Sequence, residues 1–382
     1  MKKLLLFILV MVCFTIGTDA QIIHVTPGLL TIQAGIDSAA NGDTVLVAEG
    51  TYFENINFKG KAITVASQFI MDGDTSHISK TIIDGSQSVN PDTASVVAMW
   101  SGEDTTSVLM GFTITGGTGT IHDFIDGKVR GGGGLYISGS GGKIAYNIIE
   151  ENQVKKTGSQ YGHEGGGIFT VVHNNHSLII RENIIRGNTA KGIYAMGGGI
   201  SARGGRIICE YNEITDNLAD GIQYSFGGGM AGIFFDVLNG VTYFEGVIHE
   251  AIVRNNIISG DTSISEWQCY GGGGYAHAQG YGEEFIRVYN NIICNNHTNA
   301  GGGGLFLSDN SQGRFFNNTI VDNTAEYDAN CAVVLNSKEC ALYNNIMWGY
   351  GSSTKNEFIL SNPDAAKLLL FNNILLQPFT NE

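Results

Sequence analysis

Five residues near the middle of the chain carry side chains suited to acid–base chemistry: Lys155, Lys156, His163, Glu164 and Arg203. A lysine or arginine base can abstract the proton beside a substrate carboxylate, and a His–Glu dipeptide can receive or return one. They sit within a longer basic band. From Lys128 to Arg206 there are ten lysines and arginines against four glutamates, in a chain of formal net charge −15. Such a band on an acidic rod draws in an acidic polymer despite the overall repulsion. The plainer expectation is of solvated charges scattered over different faces.

Aromatic side chains recur in the same stretch. Tyr161, Tyr194, Tyr224, Phe226, Trp267 and Tyr270 fall in four segments, 153–164, 189–196, 218–226 and 262–270. These segments read as insertions at one repeat position, which stacking places on one flank. Ring faces beside polar groups suit sugars, whose C–H faces are apolar and whose hydroxyls need partners. Alternatively, the rings pack over their own loops. The six are the candidate ligand-binding residues, and a polysaccharide or cell-surface glycan is the expected partner.

Other chemistries have less support. Asp72, Asp74, Asp123 and Asp126 are hard-oxygen groups of the type Ca²⁺ takes, but two carboxylates per loop are too few and no calcium nonapeptide repeat occurs. No metal site and no cofactor are therefore expected. His173, His176 and His277 read as surface-turn residues. The acidic balance and the lack of a basic helix argue against nucleic acid. Of the cysteines after residue 20, Cys209 and Cys294 read as small core residues, while Cys331 and Cys340 are spaced to bridge neighbouring turns.

What must position these residues is a repeat. NIIEEN starts at Asn147, NIIRGN at Asn183, NEITDN at Asn212, NIISGD at Asn256, NIICNN at Asn291 and NTIVDN at Asn318, with degenerate copies at Asn345 and Asn373. The starts are 36, 29, 44, 35, 27, 27 and 28 residues apart, and glycine blocks alternate with them. One supersecondary unit stacked many times gives a solenoid, so the 43% hydrophobic content fills a core that grows along one axis. Short alternating strands between Gly and Asn corners predict an all-β, single-stranded, right-handed parallel β-helix with three strands per turn. Ile149, Ile185, Ile214, Ile258, Ile293 and Ile320 should form one inward column. The asparagines should adopt positive φ at corners and bond from rung to rung.

Residues 1–20 read as a secretory signal: Lys2 and Lys3, an apolar run from Leu4 to Ile16, then Thr18-Asp19-Ala20. The rest, 21–382, is expected to be exported, with no transmembrane segment. A capping helix is predicted over about 31–40 and regular coils over about 108–382. The final coil, near Asn373, shows no evident polar cap, so a partner or a missing segment is expected to cover it.

The segment TIQAGIDSAANGDTVLVAEGTYFENI from Thr31 resembles the opening of the pectin-lyase-like, right-handed β-helix superfamily. The glycine-block and NIIxxN pattern is similar to that of secreted bacterial repeat proteins and, more loosely, of outer-membrane adhesins. The resemblance covers nearly all of 21–382 and implies fold rather than activity. A polygalacturonase-like hydrolase is disfavoured, because no two aspartates are adjacent. A pectin-methylesterase reading lacks the expected arginine–tryptophan segment. The resulting expectation is carbohydrate binding at a loop-lined face of a secreted or surface protein. The alternatives are a pectate-lyase-like polysaccharide lyase acting on an acidic glycan, and a non-catalytic adhesin or structural rod.

Overall fold

The computed structural model describes residues 20–381 apart from 125–126, 156–157, 159–160, 173–175, 236, 239–240, 243–249, 280–284, 309–311, 328–331, 336–338, 349–357, 362–366 and 376–379. The export segment expected at 1–20 lies outside this set except for its last residue, as do Lys156, His173, Asp126 and Cys331. Nothing is described of the Cys340 side chain or of most side chains in the last coil. Among the described residues no helix is long and apolar enough to cross a membrane.

The chain winds into a parallel β-helix. From the coil that carries Thr93–Ala94 to the one that carries Thr324–Ala325 each coil contributes to four sheets, not the expected three, and one coil shows the plan. Gly142–Ala145 lies in sheet I, Ile148–Glu150 in sheet II, Gln153–Lys155 and Gly162–Glu164 in sheet III, and Ile168–Val171 in sheet IV. The chain then returns to sheet I at Ser177–Arg181, parallel to Gly142–Ala145. Sheet I has 12 strands and the other three have 11 each. The middle of the extra sheet is formed by the four segments expected to be insertions, which pair in register from coil to coil, and shorter strands extend it at both ends.

The inward isoleucine column forms as expected on sheet II. Ile149, Ile185, Ile214, Ile258, Ile293 and Ile320 are all buried, continued by Ile114 above and Met347 below. Each such burial contributes about 1.5–3 kcal/mol. The first coil is closed by the helix Ile32–Ser38, within the predicted 31–40, whose N-terminus is capped by the Thr31 hydroxyl. Gly35 lets that helix rest on the first rung, since a Cβ there would lie 2.9 Å from both Val25 and Val45. Two further short helices, Phe69–Asp72 and Ser76–Lys80, stand where Asp72 and Asp74 had been read as loop carboxylates. Both aspartates are engaged in the local turn: Asp72 accepts from the Asp74 N–H and Asp74 from the Ser76 N–H.

Two asparagine ladders run along the edges of sheet II. At the sheet I–II corner, the Asn183 carbonyl oxygen accepts both the backbone N–H (3.0 Å) and the side-chain amide (3.1 Å) of Asn147. The pattern repeats through Asn212, Asn256, Asn291, Asn318, Asn345 and Asn373. A second ladder at the II–III corner joins Asn152, Asn188, Asn217, Asp261, Asn296 and Asn323. The positive backbone angle falls on the preceding residue, not on the ladder asparagine. Tyr146, Glu182, Tyr211, Asn255, Asn290, Asn317, Asn344 and Asn372 have φ between 51° and 57°. Leaving the ladder residue in ordinary backbone geometry aims its amide along the axis at the next coil.

Of the cysteines, Cys209 is core, as expected. Cys294 is half-buried because it follows the inward Ile293 and so faces out.

Candidate functional site

Sheet III is a two-ply fin. In each coil the chain leaves the second ladder, runs outward, turns and comes back to the glycine block. The outgoing limbs are 153–155, 189–192, 218–221 and 262–265, and the returning limbs are 162–164, 194–196, 224–226 and 268–270. Between them lie small buried side chains, among them Ala190, Ala195, Ala219 and Ser225. The Ser225 hydroxyl donates to the Ala219 carbonyl at 2.7 Å, tying the limbs together. The glycine blocks are the pinch at the fin's base. A Cβ on Gly166, Gly198 or Gly228 would lie 2.5–2.6 Å from the backbone of Thr189, Leu218 or Thr262. The block therefore needs glycine because backbone passes against backbone.

The outer side of the returning limbs faces sheet IV across a groove that side chains fill, with Val129, Tyr136, Phe169 and Val171 buried there, and the two sides also meet through specific polar and aromatic contacts. Glu164, fully buried, accepts from the Arg203 Nε at 2.9 Å and from its terminal nitrogen, and the Ser201 hydroxyl donates to it at 3.0 Å. The Arg203 guanidinium also sits 4.6 Å from the centre of the Phe124 ring. Further along the groove, Phe226 of the fin meets Tyr275 of sheet IV at 4.6 Å, and Tyr270 meets Phe306 at 4.1 Å. Towards the N-terminus sheet III continues as the hairpin of Gly119–Phe124 and Gly127–Gly131. Its Phe124 lies against Phe169, and His122 bonds the Tyr136 hydroxyl. Burial pushes the Tyr136 phenol up to about 12.

Farther from the base, Tyr161, Tyr194 and Tyr224 form a row along the rim, one per coil. Ring centres are 4.2 Å apart for Tyr161 and Tyr194 and 4.6 Å for Tyr194 and Tyr224. The first two hydroxyls are bonded at 2.6 Å. Burial and the Tyr161 bond raise the Tyr194 phenol above its ordinary range. Trp267 stands apart near the turn of the fin and is 67% exposed.

The acid–base candidates separate. Glu164 and Arg203 come together as a closed charge pair. His163 is fully buried inside the fin against Gly192, where a Cβ would lie 1.9 Å from its Nδ1. It therefore faces neither groove nor solvent. Lys155 is exposed on an outgoing limb, beside Lys191 of the next coil. The aromatic candidates divide as well: Phe226 and Tyr270 bridge the groove, while the tyrosine row and Trp267 keep open surface.

The basic band lies on all four sheets and is largely neutralised. Lys128 pairs with Asp123, Arg130 with Asp92, Arg181 with Glu182, Arg186 with Glu150, Lys191 with Asp220 and Arg206 with Glu250. Among the described residues, no group of three or more His, Cys, Asp or Glu side chains is placed to hold a metal ion.

Several groove residues were not singled out in the sequence: Phe124, Ser201, Tyr275 and Phe306. Ser201 and Phe306 stand second after a glycine block. That offset becomes a signal only once strand alternation is combined with a bend at the block.

No protein-family profile matches this chain, and no curated protein is significantly similar to it.

Proposed function

We propose that this protein is a secreted or cell-surface β-helix of the pectin-lyase-like kind that binds a polysaccharide along the rim of its fin. The observation that carries the reading is the row Tyr161, Tyr194, Tyr224, which offers one ring and one phenol hydroxyl per coil. Coils are about 4.8 Å apart, so an extended polymer lying along the axis meets an equivalent group at each step. Stacking covers much of the ring faces in the row, so the hydroxyls and ring edges are its main contact groups. Trp267, with its exposed ring, supplies a face for C–H contacts.

Binding without catalysis is the preferred reading. The Arg203 guanidinium that a lyase reading would use as base is engaged by Glu164, and His163 is enclosed. Affinity electrophoresis against neutral and acidic polysaccharides tests the proposal. Retardation by at least one polymer, lost in Tyr224→Ala and weakened in Trp267→Ala, is the expected result. Unchanged retardation in both variants discards the rim. Release of unsaturated product absorbing in the ultraviolet, abolished by Arg203→Ala in a folded protein, establishes the lyase alternative instead.

A further inference from the structure

A cleft of about 390 Å³ lies near the N-terminal end of sheet IV, beside the strands Ile56–Asn57 and Val97–Met99 and under the loop carrying Gln87 and Asn90. That volume is within the ordinary range of small-molecule sites. Two rings border it: Phe53 is 53% exposed and Trp100 39%. Trp100 is held in place by an edge-on contact with Tyr136, with ring centres 5.7 Å apart.

The polar groups around these rings are half used. Asn55 donates its amide to the Ser95 carbonyl at 2.9 Å, which leaves its oxygen as an acceptor. Asn57 accepts the Lys59 N–H at 2.7 Å, which leaves its NH₂ as a donor. Gln87 adds an amide that makes no hydrogen bond to the protein. Donor and acceptor capacity thus converge beside apolar rings, the pairing that sugar hydroxyls and C–H faces require.

Charge decides which sugars. Glu54 in the wall has both oxygens occupied, by the N–H groups of Ile32 and Gln33 at 2.9 and 3.0 Å. No lysine, arginine or histidine lines the cleft. A uronate would bring a second carboxylate to a wall that presents no cation, since Arg130 is buried on the Pro91 and Gly119 carbonyls, at an electrostatic cost. We propose that this cleft is a separate binding site for a neutral sugar unit. Thr120 in the cleft wall belongs to the hairpin that carries sheet III towards the N-terminus, and none of the rim residues Tyr161, Tyr194 and Tyr224 lines the cleft, so the two sites are separate.

Calorimetric and saturation-transfer NMR titrations with cellobiose, mannobiose and digalacturonate test this. The wild-type protein should bind at least one neutral disaccharide and leave digalacturonate unbound. Trp100→Ala should weaken that binding about tenfold, and Gln87→Ala should weaken it less. Tyr224→Ala removes any share of the rim, so neutral-disaccharide binding that persists in this variant and is lost in Trp100→Ala belongs to the cleft, and failure here is distinct from failure of the rim. If Trp100→Ala does not fold, Trp100→Phe and the exposed Gln87→Ala carry the test. Wild-type protein that binds none of the neutral disaccharides overturns the proposal. So does equal binding by the cleft variants, or competition by digalacturonate.

Discussion

The asparagine ladders and the Glu164–Arg203 pair both take polar groups out of water, but they satisfy them in different ways. In the ladders each residue but Asp261 carries donor and acceptor on one neutral amide, so a rung is completed by the next identical rung. Such a system propagates along the axis for as many coils as the chain supplies. In the charge pair each partner is complete only with a group from another sheet, 39 residues away. Among the described residues that arrangement occurs once, between sheets III and IV. A repeat can extend a neutral ladder cheaply, whereas a buried charge requires a partner placed by the rest of the fold.

Removing one member of each system tests the contrast. Arg203→Leu should have the largest effect: it strands the Glu164 carboxylate in a fully buried place and should cost about 3–5 kcal/mol in urea unfolding. Adding Glu164→Gln to that variant should recover much of the loss. Full loss in both would mean that Arg203 acts through packing on Phe124 and not through charge.

Asn212→Ala should come next, at about 2–4 kcal/mol. It takes the acceptor from the backbone and side-chain amides of Asn183 and the donor from the Ile180 carbonyl. Amide hydrogen exchange should show the loss spreading to adjacent coils, as nearest-neighbour coupling requires.

Asp261 is the place where the ladder itself takes an acid. Its Oδ1 accepts both Asn217 donors, at 2.8 and 3.0 Å, but its Oδ2 is buried without a partner. Burial, with Asp216 nearby, holds this carboxyl well above the ordinary carboxylate range, against the two Asn217 bonds that favour the ion. Below about pH 4 the group is neutral in folded and unfolded chains alike, and its contribution to stability is fully present. As pH rises the unfolded chain ionises first, so stability falls by up to about 1.4 kcal/mol per pH unit until the folded value is passed. Asp261→Asn should therefore stabilise the protein by about 1–3 kcal/mol near pH 7 and have little effect at pH 4. Melting both proteins across that range checks it. A parallel pH dependence in the variant would exclude Asp261 as the source.

The smallest effect is expected on the open surface. Arg186→Ala breaks the pair with Glu150, but Arg186 is half exposed, so the change should be under about 1 kcal/mol. A larger cost would mean that the surface charges contribute to holding the coils together.

Much of this architecture was legible in the amino-acid order. The isoleucine column, the ladders and the position of the glycine blocks follow from spacing alone, because stacked coils bring equal repeat positions into contact. The fin was visible only as segments longer than a turn needs, and was read as loops. Strand pairing there is with the same segment of the next coil, which no single segment reveals. Of the acid–base candidates the fold brings together Glu164 and Arg203, 39 residues apart, and separates those that are neighbours in the chain. His163 and Glu164 are adjacent in the chain, yet alternation on a strand sends one into the fin and the other into the groove.

The sequence by itself determined that the chain stacks, which side chains form its interior columns and where its corners fall, since all three depend on local period. Only the tertiary structure decided that most coils have four sides, that Glu164 meets Arg203 and that Trp100 overlooks an open cleft. Those outcomes depend on the angles between sheets and on segments meeting across a corner, and neither is encoded in the spacing of any one repeat.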